Sequence, residues 1–152
     1  MGAVIHRSGE GERLEMGPSS LILHAVGDAT ADSFFMSETT LGPGFPGPPL
    51  HVHERIHDMF YVLEGTIAFQ VEEDQVELGP GSFVCVAPGT PHRFWNPTDE
   101  PARFLNLNTP AGFEGYMREL AVAGAKAAED GRQLTPEEIG EIASRYDFEL
   151  AG

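Results

Sequence analysis

HVHERIHDMFYVLEG, residues 51–65, decides the fold and the site together. One residue separates His51 from His53, and alternate side chains of an extended segment project to one face, so both imidazoles can reach a single ion. From Asp58 the stretch is rich in β-formers and closes on Gly65, which predicts a strand with Asp58, Phe60 and Val62 on one face and His57, Met59 and Tyr61 on the other. A second stretch answers it. In GSFVCVAPGTPHRFWN, residues 81–96, a turn signal precedes PHRFWN, and a strand there would deliver His92 to the same point. Three imidazoles and a carboxylate suit one divalent transition ion (Fe, Mn, Ni, Co, Cu or Zn), whereas a single carboxylate supplies too few oxygens for calcium. The candidate ligands are His51, His53, Asp58 and His92, with His57 as the alternative to Asp58 if a bulge at the strand start flips the register.

Working outward, GPGFPGPP at 42–49 forbids helix and most ladder pairing and reads as the loop that turns the chain into the His-x-His segment. Before it, LILHAV at 21–26 and SFFMSETTL at 33–41 predict strands joined by the turn GDATAD. After Gly65, TIAFQV and QVEL flank EED as an acidic-tipped hairpin, FVCVA follows the turn GPGS, and ARFLNLN at 102–108 predicts a further strand. The total is about eight or nine strands without a βαβ alternation, an all-β class. Residues 1–19 predict a polar arm with a short strand at Val4–His6, and His24, alone in an apolar strand, reads as a structural histidine. From 110 the period changes. FEGYMRELAVAG predicts an amphipathic helix interrupted near Gly124, and LTPEEIGEIASRY a second helix with Thr135 as N-cap, Pro136 in its first turn and Glu138 closing a capping box.

A chain of 152 residues is long enough for one domain with its own core. The formal net charge of −15 opposes nucleic acid and anionic membrane surfaces alike. Cys85 is the only cysteine, which excludes an intrachain disulfide, and its place in FVCVA predicts a buried thiol. No apolar run reaches the length of a signal peptide or a membrane span, so a cytoplasmic location is expected.

The two stretches resemble the two motifs of the cupin superfamily. His51, His53 and Gly65, with six residues between Asp58 and Gly65, match the first; Gly89, His92 and Asn96 match the second. Asp58 stands where the motif usually has glutamate, and Ala87 where it has proline. The tail TPAGFEGYMRELA, followed by a short helix ending near RYDFEL, is similar to that of small quercetin 2,3-dioxygenase-like cupins. The resemblance implies a jelly-roll β-barrel over 20–110, an N-terminal arm at 1–19 and a C-terminal helical tail at 111–152 packed on the barrel. It implies a metal-dependent oxygenase that brings dioxygen to a phenolic or enolic small molecule, such as a flavonol or an aromatic polyketide, with Asp58 as ligand and proton acceptor. Phe60, Val62 and Phe94 share parity with Asp58 or His92 and, with Met36 and Phe104, are the expected pocket wall or barrel core. A redox-neutral polyketide cyclase or isomerase would use the same ligands, and a non-catalytic small-molecule-binding cupin is the third class. By analogy with small cupins, a homodimer is expected.

Overall fold

Strand alternation builds the molecule. In the computed structural model, which describes residues 2–151, the chain forms β1 (Glu12–Met16), β2 (Ser19–Ala25), a single-turn helix α1 (Gly27–Thr30), β3 (Phe35–Leu41), β4 (His51–Val52), β5 (His57–Glu64), β6 (Ile67–Val71), β7 (Asp74–Leu78), β8 (Phe83–Val86), β9 (His92–Trp95), β10 (Ala102–Thr109), α2 (Glu114–Glu129), α3 (Pro136–Ala143) and β11 (Glu149–Leu150). One sheet runs β1-β2-β3-β10-β5-β8 and the other β11-β4-β9-β6-β7, and every pairing is antiparallel. In β3 and β10 every second residue is buried, so each strand turns one face to the opposite sheet and the other outward. The expected all-β architecture with C-terminal helices is what forms.

Between the sheets lies an aromatic core. Phe60 meets Phe69, Phe94 and Phe104 at centroid separations of 5.1, 5.5 and 5.5 Å, and Leu41, Val62, Ile67 and Val86 close around them. Each such side chain contributes about 1.5–3 kcal/mol by leaving water. Gly65 ends β5 at φ 73°, and a Cβ there would come within 2.6 Å of the Pro101 carbonyl oxygen, so both backbone sign and space require glycine where β5 turns into β6. A second cluster, Ile56, Phe113, Tyr116, Ile142, Ala143 and Phe148, fastens α2 and α3 to the barrel.

Several expectations need correction. Val4–His6 is not a strand; the arm's strand is β1, whose charged, sparsely apolar sequence ERLEM suits an edge. The Thr135–Glu138 capping box and Pro136 open α3 as expected, but α2 passes Gly124 without interruption. Cys85 is exposed because β8 is an edge strand whose Val84 and Val86 lean inward and whose Phe83 and Cys85 face out. Met36 has the parity of Glu38 and Thr40, on the outer face, since its neighbour Phe35 takes the inward position. The tail also contributes β11, which pairs with β4. No helix among the described residues is long and apolar enough to cross a membrane.

Candidate metal centre

Both sheets supply the site. β4 and β9 place His51 opposite His92, and His53 follows β4 with the same inward parity. From the other sheet β5 directs Asp58 inward, while His57, one residue earlier, lies on the exposed face. The competition between the two registers therefore goes to Asp58. His51, His53, Asp58 and His92 are all nearly inaccessible to solvent, and one ligand atom of each lies within 4.8 Å of the others. The Asp58 side chain, although one methylene shorter than glutamate, reaches the cluster: its Oδ2 is 3.0 Å from His92 Nε2 and 3.5 Å from His53 Nε2. Donors about 2.1 Å from a shared ion at tetrahedral or right angles stand roughly 3.0–3.5 Å apart, so these two separations fit a common ion.

Each imidazole is held from behind. His51 Nδ1 meets the Pro49 carbonyl at 2.8 Å, His53 Nδ1 the Asp147 carbonyl at 2.5 Å and His92 Nδ1 the Thr90 carbonyl at 3.0 Å. A ring that donates Nδ1–H to a carbonyl can present the lone pair of Nε2 to an ion at the centre, the tautomer that a metal needs, whereas in the metal-free protein an Nε2 that donates to Asp58 carries a proton of its own. Asp58 is held likewise. Its Oδ1 accepts from Asn106 Nδ2 and Asn108 Nδ2, both at 2.7 Å, which leaves Oδ2 for the cluster.

Charge is distributed unequally over the four groups. Burial, with the neighbouring His92, pushes the pKa of His51 down to about 3, so this ring stays neutral. Burial opposes the charge of His53 as well, but hydrogen bonding to Asp58, the charge of that carboxylate and the Asp147 carbonyl together outweigh it and raise the pKa. For Asp58 the burial that would raise its pKa is overcome by hydrogen bonds from His53 and His92, which hold the carboxyl well below its usual range. In the metal-free protein the pair thus favours a proton on His53 beside an ionised Asp58. A divalent cation at the same point would replace it.

A family comparison agrees with this geometry: residues 37–108 match the family model described as Cupin domain. Residues 37–108 are a cupin domain. Over 90 residues, 58% of its length, the chain is 36% identical to quercetin 2,3-dioxygenase of Bacillus subtilis (strain 168), and it spans only 26% of that protein's length. Among solved structures it is similar to the polyketide cyclase RemF from Streptomyces resistomycificus, with 26% identity, a TM-score of 0.60 and coverage of 72% of this chain and 80% of that one. It is also similar to a sugar phosphate isomerase of the cupin superfamily from Silicibacter pomeroyi, with 28% identity, a TM-score of 0.54 and coverage of 62% and 60%.

Of the expected pocket residues, Phe60, Val62 and Phe104 are packed into the core with Phe94 against them, and Met36 lies on the outer face of β3. The apolar cover of the site comes from elsewhere. Phe148 stacks on His51 at 4.4 Å and 12°, and Phe113 meets His53 edge-on at 4.9 Å. Asp147 binds the loop behind His53 with its carboxylate, accepting from the backbone N–H groups of Glu54, Arg55 and Ile56 at 2.7, 2.9 and 3.2 Å. Beside it a cleft of about 220 Å³ runs between Arg55, Ile56, Gly112, Phe113 and Tyr146. Asn96, the last residue of the second motif, is structural: its amide donates to the carbonyls of Gly42 and Glu100 at 3.0 and 2.7 Å. Sequence reasoning missed Asn106 and Asn108, although two asparagines share the inward parity of Phe104 in ARFLNLNT and buried amides require partners.

Proposed function

We propose that this cupin is a metal-dependent oxygenase of the quercetin 2,3-dioxygenase-like type, acting with dioxygen on a phenolic or enolic small molecule such as a flavonol or an aromatic polyketide. The donor set carries the reading: three imidazoles with Nε2 turned inward and one ionised carboxylate, buried in a single cluster. A divalent transition ion there would supply a Lewis-acidic centre with open positions for an enolate or phenolate oxygen. The remaining work belongs to the chain. Asp58 Oδ2 accepts the substrate hydroxyl proton, while Asn106 and Asn108 hold Oδ1 and keep the carboxylate aimed. Phe113 and Phe148 exclude water from the reacting face and offer aromatic surface to a flat ring.

The similarity to a polyketide cyclase and to a sugar phosphate isomerase supports a second reading, redox-neutral chemistry on the same ligands. A non-catalytic small-molecule-binding cupin is the third. One experiment separates them: purify the protein without added metal, determine the metal by elemental analysis, and follow oxygen uptake with a panel of flavonols and aromatic polyketides. Oxygen consumed in proportion to substrate lost supports the oxygenase. Turnover that continues without oxygen transfers the assignment to a cyclase or isomerase, and binding without any turnover to a carrier.

A further inference from the structure

A second pair of histidines meets on the outer face of the six-stranded sheet, away from the buried centre. The β2–β3 ladder passes from Leu23–Ser37 to Ala25–Met36 and leaves His24 without a partner, a bulge that aims its ring at Glu38 and at the N-terminal arm. The arm folds back over β2, so that His6 Nδ1 stands 2.9 Å from His24 Nδ1. Gly11 keeps this return close: at φ 124° it sits where a Cβ would come within 2.6 Å of Ile22 Cγ2. On the other side of the ring, His24 Nε2 meets Glu38 Oε2 of β3 at 3.2 Å, and Arg103 of β10 pairs with the same carboxylate. Both imidazoles border a surface cleft of about 440 Å³, walled also by Val4, Ala25, Phe34 and Met36, so an ion can reach them from solvent.

The hydrogen bonds fix where the lone pairs lie. A neutral imidazole carries one proton, and the Glu38 carboxylate draws that of His24 to Nε2, which leaves the lone pair of His24 on Nδ1. In the metal-free protein His6 then donates its Nδ1–H to that lone pair. We propose that His6 and His24 form a second metal site, a bis-imidazole chelate for copper(II). When the ion enters, the proton of neutral His6 moves from Nδ1 to Nε2, and both Nδ1 lone pairs face the metal with no change in proton count. Two nitrogens 2.9 Å apart, each about 2.1 Å from one ion, subtend about 90° at it. That is the cis angle of a tetragonal centre and falls well short of the tetrahedral angle of zinc, so the geometry selects copper(II), which also binds most tightly among the divalent first-row ions. Glu38 behind His24 is the carboxylate that orients a metal-bound imidazole and raises its basicity. The site shares no residue with the buried centre and does not depend on what that centre does.

Equilibrium dialysis of the full chain against copper(II), as wild type, His6→Ala, His24→Gln and the double variant, counts the copper bound, and electron paramagnetic resonance identifies its donors. The glutamine amide still donates to Glu38, so His24→Gln removes the ligand nitrogen and keeps the contact behind it. Expected is about one copper equivalent fewer in each single variant than in wild type, with no further loss in the double variant, because the chelate needs both rings. The spectrum of wild type minus variant should be that of a tetragonal centre coupled to two nitrogens. Since the quantity read is a difference, it is the same whether or not the buried centre also takes copper. Equal copper in wild type and His6→Ala overturns the proposal, and His6 is exposed on the arm, so its removal leaves the fold intact. A loss in His6→Ala that His24→Gln does not share also overturns it, because the arm would then hold the ion by itself.

Discussion

Asn106→Leu removes an amide of nearly the same shape from beside Asp58. Two hydrogen bonds go with it, one to Asp58 Oδ1 at 2.7 Å and one to the Met59 carbonyl at 3.0 Å. The first has an ionised, buried acceptor and contributes about 1.5–3 kcal/mol; the second is neutral and contributes about 0.5–1.5 kcal/mol. The substitution should therefore destabilise the metal-free protein by about 2–4.5 kcal/mol. In an Asp58→Ala background only the Met59 bond remains to be lost, so the cost should shrink to about 0.5–1.5 kcal/mol and leave a coupling energy of about 1.5–3 kcal/mol. Urea unfolding of the four proteins at neutral pH measures it. A coupling energy below about 0.5 kcal/mol would refute the reasoning, since Asn106 would then serve Met59 and not the carboxylate. Because groups that orient ligands matter nearly as much as the ligands, Asn106→Leu should also weaken metal binding about 10- to 100-fold.

Ala replacements at His51, His53 and His92 should each strip the metal on dialysis, whereas His57→Ala, on the exposed face, should leave content and turnover intact; full metal retention by all three ligand variants would show the ion to be elsewhere. Metal affinity should rise with pH through and beyond the ordinary histidine value of 6.5, because the raised pKa of His53 keeps a competing proton on it. Titrations between about pH 5 and about pH 8 that gave one constant affinity would exclude that competition. The metal-free protein should lose stability as pH falls from 6.5 toward about 3, because His51 accepts a proton in the unfolded chain but not in the folded one, a limiting loss of about 5 kcal/mol. Urea melts that were no weaker at acid pH would contradict it. Phe148→Ala, which removes the ring stacked on His51, should cost about 3–5 kcal/mol and hasten metal release to a chelator; unchanged release would show that the tail does not cover the site.

What the sequence made legible was local. The His-x-His spacing and the parity from Asp58 to Val62 require only strand geometry, and burial follows that parity residue by residue. The capping box at Thr135 is equally local. Errors arose where parity was ambiguous: FVCVA is apolar throughout, so nothing in it indicates that Cys85 faces out, and Phe35 and Met36 are neighbours of which only one can point inward. Contacts between distant segments were the least accessible. Asp147 supports His53 from 94 positions away, and neither neighbourhood carries a pattern that announces the other. Asn106 and Asn108 were the exception, readable as polar residues on a core face.

That distant support bears on the order of assembly. Loops that close over long sequence separations form late, because their closure entropy must be met before their contacts reward it. The β5–β10 and β6–β9 ladders can establish the barrel before the tail docks, yet His53 has no carbonyl behind it until Asp147 arrives. Trp95, the single tryptophan, lies in β9 beside His92 and reports the barrel, whereas capacity to bind metal reports the tail. In stopped-flow refolding the tryptophan signal should reach its native value before the protein can capture a metal. The chain should thus become a barrel first and a metalloprotein second.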